Sequence, residues 1–167
     1  YLQITDVPAS AYKDRGGISV TIDDSGATAH GLQVININTA SMSGNGGIKT
    51  DTGILDINIK MKTSRDTEPI VIINFPNLAG DLTQFSEQDK INITYGENGD
   101  EHGFQNKHNI LLNMPKISAI NLQNTFVGTY LAPNADVNIS SLNTSISAII
   151  ARNISLGATS MNSEGST

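Results

Sequence analysis

Two apolar residues that flank a single polar residue recur every 17 positions in the C-terminal part of the chain, and this repeat constrains the fold most. The three copies are Ile120/Leu122, Val137/Ile139 and Ile154/Leu156. Alternation of this kind puts both apolar side chains on the same side of a β-strand. A period of this length indicates a β-solenoid, in which each coil buries its aliphatic side chains against the coils above and below it.

The composition of the same segment fits stacked coils. Between Ile117 and Ser160 the charged residues are Asp136 and Arg152 alone, among many small polar residues. A second alignment sets residues 128–132 over residues 147–151 at a spacing of 19, so the coil length varies by a residue or two. Asn121 and Asn138 fall at equivalent coil positions, which predicts a ladder of side-chain amides between coils.

The first half of the chain alternates strand-length apolar runs with turns rich in Gly, Asp and Ser. The runs cover residues 18–22, 32–37, 54–61 and 69–75. The chain contains 22 Ile, and β-branched side chains favour the pleated surface of a sheet. Residues 70–73 are continuously apolar, which predicts a strand covered on both faces. A short helix fits residues 83–90.

We therefore predict an all-β protein that forms a single domain over residues 1–167. Its fold is a β-helix-like β-solenoid with an irregular β-rich N-terminal part. Residues 1–115 make up the irregular part with its loops, residues 116–160 the solenoid coils, and residues 161–167 a tail. A β-sandwich with hairpins of similar length is the alternative.

Several segments of the chain resemble the choice-of-anchor A domain of Gram-positive bacterial surface proteins. They are PIVIINF at residues 69–75, NILLNMP at 109–115, GTYLAPNADV at 128–137 and IIAR at 149–152. The resemblance covers residues 69–152 and implies a C-terminal portion or a divergent member of that family. It implies an extracellular, cell-wall-attached adhesin domain, and it brings no catalytic residues with it.

Charge and residue types argue against several other function classes. The net charge of −6 repels nucleic acid and anionic lipid, and no apolar stretch is long enough for membrane insertion. The chain has no Cys, three scattered His and no Ser in a nucleophile motif, so we predict no catalytic residues and no enzyme. We also predict no metal site and no cofactor.

Binding is expected in the polar, Gly-containing loops at residues 23–30, 41–52 and 96–108, because loops on a scaffold carry most binding residues. Tyr12, Tyr95, Phe104 and Tyr130 are the aromatic residues that a ligand is expected to reach. The third loop also contains three carboxylates and an imidazole, and the carboxylate oxygen atoms could hold Ca²⁺, although a solvated acidic loop fits the spacing better. The candidate ligand-binding residues are Tyr95, Glu97, Asp100, Glu101, His102 and Phe104.

These observations favour a non-catalytic binding or structural module of a bacterial cell-surface adhesin, whose partner is a host extracellular matrix protein, a glycan or another cell. The first alternative is a β-solenoid that binds ice or a crystal surface. That function needs ranks of outward Thr, and Thr125, Thr129 and Thr144 share no single period. The second alternative is a solenoid polysaccharide-degrading enzyme, which needs a cluster of acids that the repeat segment lacks.

Overall fold

The structure is a computed structural model, and it describes residues 2–12, 17–24, 31–38, 56–64, 67–85, 90–105, 107–122, 128–139 and 148–157. These residues form twelve β-strands and two 3₁₀ turns, Ala9–Ala11 and Lys107–Asn109. The strands are β1 Leu2–Asp6, β2 Gly17–Asp23, β3 Leu32–Asn36, β4 Asp56–Lys62, β5 Ile70–Asn74, β6 Ala79–Phe85, β7 Lys90–Gly96, β8 His102–Gly103, β9 Ile110–Asn113, β10 Lys116–Leu122, β11 Thr129–Ile139 and β12 Ala148–Leu156. The all-β prediction is confirmed.

The strands stack in parallel as the faces of a solenoid. The first face contains β1, β3, β5, β9 and the N-terminal half of β11, which pairs with the N-terminal half of β12. The second face contains β6, β10 and the C-terminal half of β11, again followed by β12. The third face contains β2, β4 and β7, with the short β8 antiparallel to β7. Parallel pairing of this kind is compatible with the predicted β-solenoid and does not fit the antiparallel β-sandwich.

The core lies between the faces and consists of aliphatic side chains in aligned stacks. On the first face, Ile35 pairs with Ile73, which pairs with Leu112, and Leu112 pairs with Tyr130. All four side chains are almost fully buried. Each coil therefore buries its inward residues against the same positions of the next coil, so the hydrophobic contribution is spread evenly along the stack.

The 17-residue repeat predicts the register of the last coils correctly. Ile120 pairs with Val137 and Val137 with Ile154, while Leu122 pairs with Ile139 and Ile139 with Leu156. The 19-residue alignment is also confirmed, since residues 129–132 pair with residues 148–151. The two spacings differ because the pairing shifts within β11, between Ala132 and Asp136.

Coils also build the N-terminal half of the chain, where the sequence shows no fixed period. Parallel pairing begins at β1, and β1, β3 and β5 each pair with a strand 30 to 39 residues further on. The intervals between paired strands differ in this half, so the coils keep one register although the number of residues per coil varies.

Two local predictions in this half are wrong. Residues 83–85 belong to β6 and not to a helix, and residues 86–89 of that predicted helix lie outside the described residues. Strand β5 is not covered on both faces, since Ile70 is 52% exposed and Ile72 is only partly buried. The apolar run at residues 70–73 therefore places aliphatic side chains on the outer surface as well as in the core.

Candidate binding surface

The outer surface of the first face carries aligned rows of aliphatic side chains. One row joins Leu2, Leu32 and Ile70, and the next joins Ile4, Val34, Ile72 and Leu111. Leu2 and Ile4 are 57% and 61% exposed. Strand pairing sets neighbours in a row about 4.8 Å apart, and alternation sets the two rows about 7 Å apart. We call these two rows the aliphatic rows.

A ladder of side-chain amides borders the aliphatic rows on the same surface. Asn36 Nδ2 donates to Asp6 Oδ1 at 2.8 Å, Asn74 Nδ2 donates to Asn36 Oδ1 at 2.9 Å, and Asn113 Nδ2 donates to Asn74 Oδ1 at 2.9 Å. The four residues occupy one register position of β1, β3, β5 and β9. Each bond links two successive coils, so the ladder holds the amide planes in fixed orientations. We call this set the amide ladder.

A polar cleft opens where the chain leaves the end of the amide ladder. Asn77 Nδ2 donates to Asn38 Oδ1 at 2.9 Å, which forms a second pair of amides beside the ladder. The cleft has a volume of about 400 Å³, and its polar lining consists of Asp6, Asn36, Asn38, Asn74 and Asn77. We call it the amide cleft.

Tyr12 stands beside the amide cleft. Its hydroxyl accepts a hydrogen bond from the backbone N–H of Asn38 at 2.7 Å. Burial raises the pKa of the Tyr12 phenol, the Asn38 bond opposes that effect, and the nearby Asp6 carboxylate adds to it. Tyr12 is only partly buried, so it remains one of the aromatic residues that a ligand can approach.

The candidate residues from Tyr95 to Phe104 form a compact hairpin on the third face. Strand β8 folds back on β7, with His102 opposite Tyr95. The Tyr95 ring lies 5.2 Å from the His102 ring and 5.7 Å from the Phe104 ring, the latter in an edge-to-face arrangement. Tyr95 is only 8% exposed, whereas His102 is open to solvent. The structure therefore brings these three rings together, with Tyr95 mainly in a packing role.

Glu101 organises the turn of this hairpin. Its carboxylate accepts hydrogen bonds from the backbone N–H of Asn98 at 2.9 Å, from the Asn98 side chain at 2.7 Å and from the backbone N–H of Asp100 at 3.2 Å. These bonds, the Asn98 backbone bond first, lower the pKa of Glu101 to about 2. The carboxylate is thus already engaged inside its own loop.

Of the other two acidic residues of the hairpin, one is paired with a lysine and the other is exposed to solvent. Asp100 forms an ion pair with Lys60 at 2.9 Å, and Glu97 is exposed. Among the residues that the structure describes, no three His, Asp or Glu side chains are grouped as a metal site would require. The loop at residues 41–52 and residues 25–30 of the first predicted loop lie outside the described residues.

Sequence analysis missed the amide ladder and misplaced Tyr130. The ladder has a signal in the sequence, an Asn between two apolar residues at the end of three strands: Ile35-Asn36-Ile37, Ile73-Asn74-Phe75 and Leu112-Asn113-Met114. The predicted ladder of Asn121 and Asn138 is confirmed, with a bond of 3.3 Å on the second face. The prediction that a ligand reaches Tyr130 is wrong, because that side chain is fully buried in the core.

The fold and its surfaces define a class of protein, a parallel β-solenoid that displays regular polar and apolar rows. The chain matches the family described as "Putative Ice-binding-like adhesive domain" over residues 3–163, and it belongs to that family. It is thus an adhesive, adhesin-type domain. The match supports the adhesive class implied by the resemblance in the sequence and does not extend to the choice-of-anchor A family itself.

No curated protein and no solved structure matches the chain. None of the described residues form a helix that is long and apolar enough to cross a membrane.

Proposed function

We propose that this chain is a non-catalytic module of a bacterial cell-surface adhesin that holds its target through the outer surface of the first face. The target is a host matrix protein, a glycan or another cell. The observation that carries this proposal is the pair of aliphatic rows on a regular parallel sheet. Membership of an adhesive family supports the adhesive role and the absence of a catalytic one.

The aliphatic rows are unusual for a surface that faces only water. Leu2, Ile4 and Ile70 are each more than half exposed and lie on one face, where Leu32 joins Leu2 to Ile70. Contiguous exposed apolar area on a soluble domain commonly marks an interaction site. Covering such rows removes apolar area from water, and this contributes roughly 25 cal/mol per Å² before the costs of association.

The position of the protein outside the cell is also part of the proposal. Adhesion requires exposure at the surface, and the GTYLAPNADV segment supports cell-wall attachment in a Gram-positive bacterium. In the structure this segment forms most of β11, which is stacked between β9 and β10 on one side and the last strand, β12, on the other. Its resemblance to surface proteins is therefore carried by scaffold residues and not by a binding loop.

The hairpin at residues 96–103 is a second proposed contact surface. Glu97 and His102 are exposed there, and Phe104 is partly buried beside them. Tyr95 and Glu101 stabilise the hairpin itself. Substitutions at these two residues would therefore alter the conformation of the hairpin and would not report on contacts with a target. Glu97→Gln and His102→Ala are the informative variants for this surface.

Adhesion by the aliphatic rows can be tested with beads that carry the purified chain. The beads are applied to surfaces coated with matrix proteins, with glycans or with whole cells. We expect Ile4→Ser and Ile70→Ser to weaken attachment without lowering the melting temperature by more than a few degrees. Ile154→Ser is the matched control, because Ile154 is 50% exposed but lies outside the first face.

Two results would contradict this assignment. Equal attachment by Ile4→Ser, Ile70→Ser and the wild type would show that the target binds a surface other than the aliphatic rows. If instead only His102→Ala or Glu97→Gln weakened attachment, the hairpin would be the contact surface. Release of products from a glycan during the assay would favour the polysaccharide-degrading alternative.

A flat, regular face also favours the ice- or crystal-surface alternative. The row that starts at Ile4 continues through Thr129 to Ala148 and is otherwise aliphatic. Thr125 and Thr144 lie outside the described residues. Inhibition of ice recrystallisation by the wild type, lost in Ile4→Ser, would support this alternative. Unchanged crystal growth together with attachment to biological surfaces would support the adhesin function.

A further inference from the structure

We infer that the amide cleft is a carbohydrate site that binds the hydroxyl groups of a neutral glycan. This inference rests on the proposed adhesive function and names the ligand class and the contact residues. The residues are Asp6, Asn36 and Asn74 of the amide ladder, with Asn38 and Asn77 across the cleft.

The ladder leaves hydrogen-bonding capacity for a ligand. A side-chain amide has two N–H donors and an oxygen with two lone pairs. Asn36 uses one donor on Asp6 and one lone pair on Asn74, and Asn74 is bonded in the same way to Asn36 and Asn113. Each of these amides therefore retains one donor and one acceptor, and the ladder fixes the direction in which both point.

This arrangement matches the chemistry of sugar hydroxyls. A hydroxyl donates one hydrogen bond and accepts others, so neighbouring hydroxyls on a ring pair well with amides that offer both functions. The ladder repeats this pair of functions at the coil spacing of about 4.8 Å, which presents several such sites along one line. Asp6 ends the line with a carboxylate, an acceptor that hydroxyl donors bind strongly.

The surroundings favour a neutral sugar over other ligands. Among the described residues that line the cleft, Asp6 is the one charged group, and the chain carries a net charge of −6, so an anion is repelled. The aliphatic rows lie two residues away on the same strands, and they can cover the apolar face of a sugar ring. Pro76 adds an apolar wall to the cleft itself.

The size of the cleft limits what enters it. A volume of about 400 Å³ lies near the lower end of the range for small-molecule sites, about 300–1,000 Å³. One or two sugar rings fit this space, and the rest of a longer chain would lie along the amide ladder. The inference therefore predicts recognition of a short internal or terminal unit of a polymer.

Substitution by Leu tests the site with little risk to the fold. Leu131 pairs with Asn113, and Ile150 pairs with Leu131, so this protein already places aliphatic residues at the ladder position in its last coils. Asn36→Leu and Asn74→Leu remove the amide functions and keep a side chain of similar length. Asn92→Leu is the matched control, since Asn92 forms a similar amide pair with Asn58 on the third face.

The experiment measures binding of the purified chain to immobilised neutral oligosaccharides of glucose, galactose, mannose and N-acetylglucosamine, with sialylated and sulfated glycans beside them. We expect binding to at least one neutral glycan, about tenfold weaker binding by Asn36→Leu and Asn74→Leu, and no change for Asn92→Leu. Binding should persist when a chelator is present, because the amides contact the hydroxyls directly.

The other outcomes distinguish a failure of the carbohydrate site from a failure of the proposed adhesive function. Glycan binding that all variants retain would overturn the carbohydrate site and leave the adhesive function intact, and loss of binding with the chelator would overturn direct recognition by amides. Attachment to proteins or cells without binding to any neutral glycan would also overturn the site alone. A chain that attaches to no tested surface would contradict the proposed function itself.

Discussion

Asp136 and Arg152, which lie 16 residues apart in the sequence, form a two-point ion pair between successive coils. Arg152 Nε donates to Asp136 Oδ1 at 2.9 Å, and Arg152 Nη2 lies 2.5 Å from Asp136 Oδ2. Asn153 donates to the same carboxylate at 2.7 Å. The two charged side chains between residues 117 and 160 therefore meet. They fix the same register between β11 and β12 as the pairing of the buried Val137 with the half-exposed Ile154.

Removing this ion pair should have a small effect that depends on salt. Hydrogen bonds from Arg152 lower the pKa of Asp136, yet both side chains are about half exposed, so solvent weakens the interaction. We expect Arg152→Gln and Asp136→Asn each to lower the melting temperature by no more than a few degrees. The difference from wild type should shrink in high salt. A large loss that salt does not reduce would show that Arg152 stabilises the coil mainly by packing.

A charge at Val137 should destabilise the solenoid severely. Val137 is 2% exposed and lies between Ile120 and Ile154 in the inward stack. Val137→Asp buries an unpaired carboxylate, so we expect a loss of at least about 3 kcal/mol in the free energy of unfolding. Ser19→Asp, on an exposed strand position, is the control and should be close to wild type. Denaturant unfolding measures both, and near-wild-type stability of Val137→Asp would mean that the register is incorrect.

Gly128 should not tolerate a side chain. Its φ of +134° is a conformation that other residues rarely adopt, and a Cβ at this position would lie 2.8 Å from the carbonyl oxygen of Ile110. We expect Gly128→Ala to cost roughly 1–3 kcal/mol in thermal unfolding measurements. At Gly103 a Cβ meets nothing within 4 Å, so Gly103→Ala serves as the control. Equal stability of the two variants would contradict the close approach of β11 to β9.

The hydroxyl of Tyr130 should be dispensable for folding. It is buried, and no group in the described part of the chain accepts or donates a hydrogen bond to it. Tyr130→Phe should leave the free energy of unfolding unchanged or raise it by up to about 1 kcal/mol. Tyr12→Phe is the comparison, because it removes a 2.7 Å bond from the Asn38 N–H and should cost about 1 kcal/mol. A clear loss in Tyr130→Phe would reveal a partner for the hydroxyl.

Burial also raises the pKa of the Tyr130 phenol. The folded protein therefore keeps this phenol neutral above pH 10, whereas the unfolded chain ionises there. The free energy of unfolding should accordingly fall as pH rises above 10. Tyr130→Phe should accordingly unfold less readily than wild type in strong base.

Acid should open the hairpin at residues 96–103 through Glu101. The pKa of Glu101 falls from 4.5 to about 2, so its carboxylate supports the folded hairpin fully above pH 4.5 and loses that effect as pH falls toward 2. The NMR shifts of the Asn98 and Asp100 amides should follow this titration. In Glu101→Gln the titration should disappear, while Glu97→Gln should retain it. A midpoint near 4.5 would show that these hydrogen bonds do not hold in solution.

The sequence by itself determined the strands and the register of the last coils. Strict alternation at Val137 and Ile139 decides which side chains face inward. The recurrence of that pattern 17 residues before and 17 residues after decides which strands pair with β11. The same regularity predicted the amide pair of Asn121 and Asn138. Local pattern was sufficient here because these coils have nearly constant length.

Only the tertiary structure decided the binding surface. Asp6, Asn36, Asn74 and Asn113 form one ladder although intervals of 30, 38 and 39 residues separate them. Pairing between distant strands, not a constant sequence spacing, brings the four residues into line. The same pairing turned Ile70 outward, so the exposed aliphatic rows could not be recognised from residue type alone. Glu101 is bonded within its own turn to Asn98 and Asp100, and only the folded geometry of that turn shows that its carboxylate is structural.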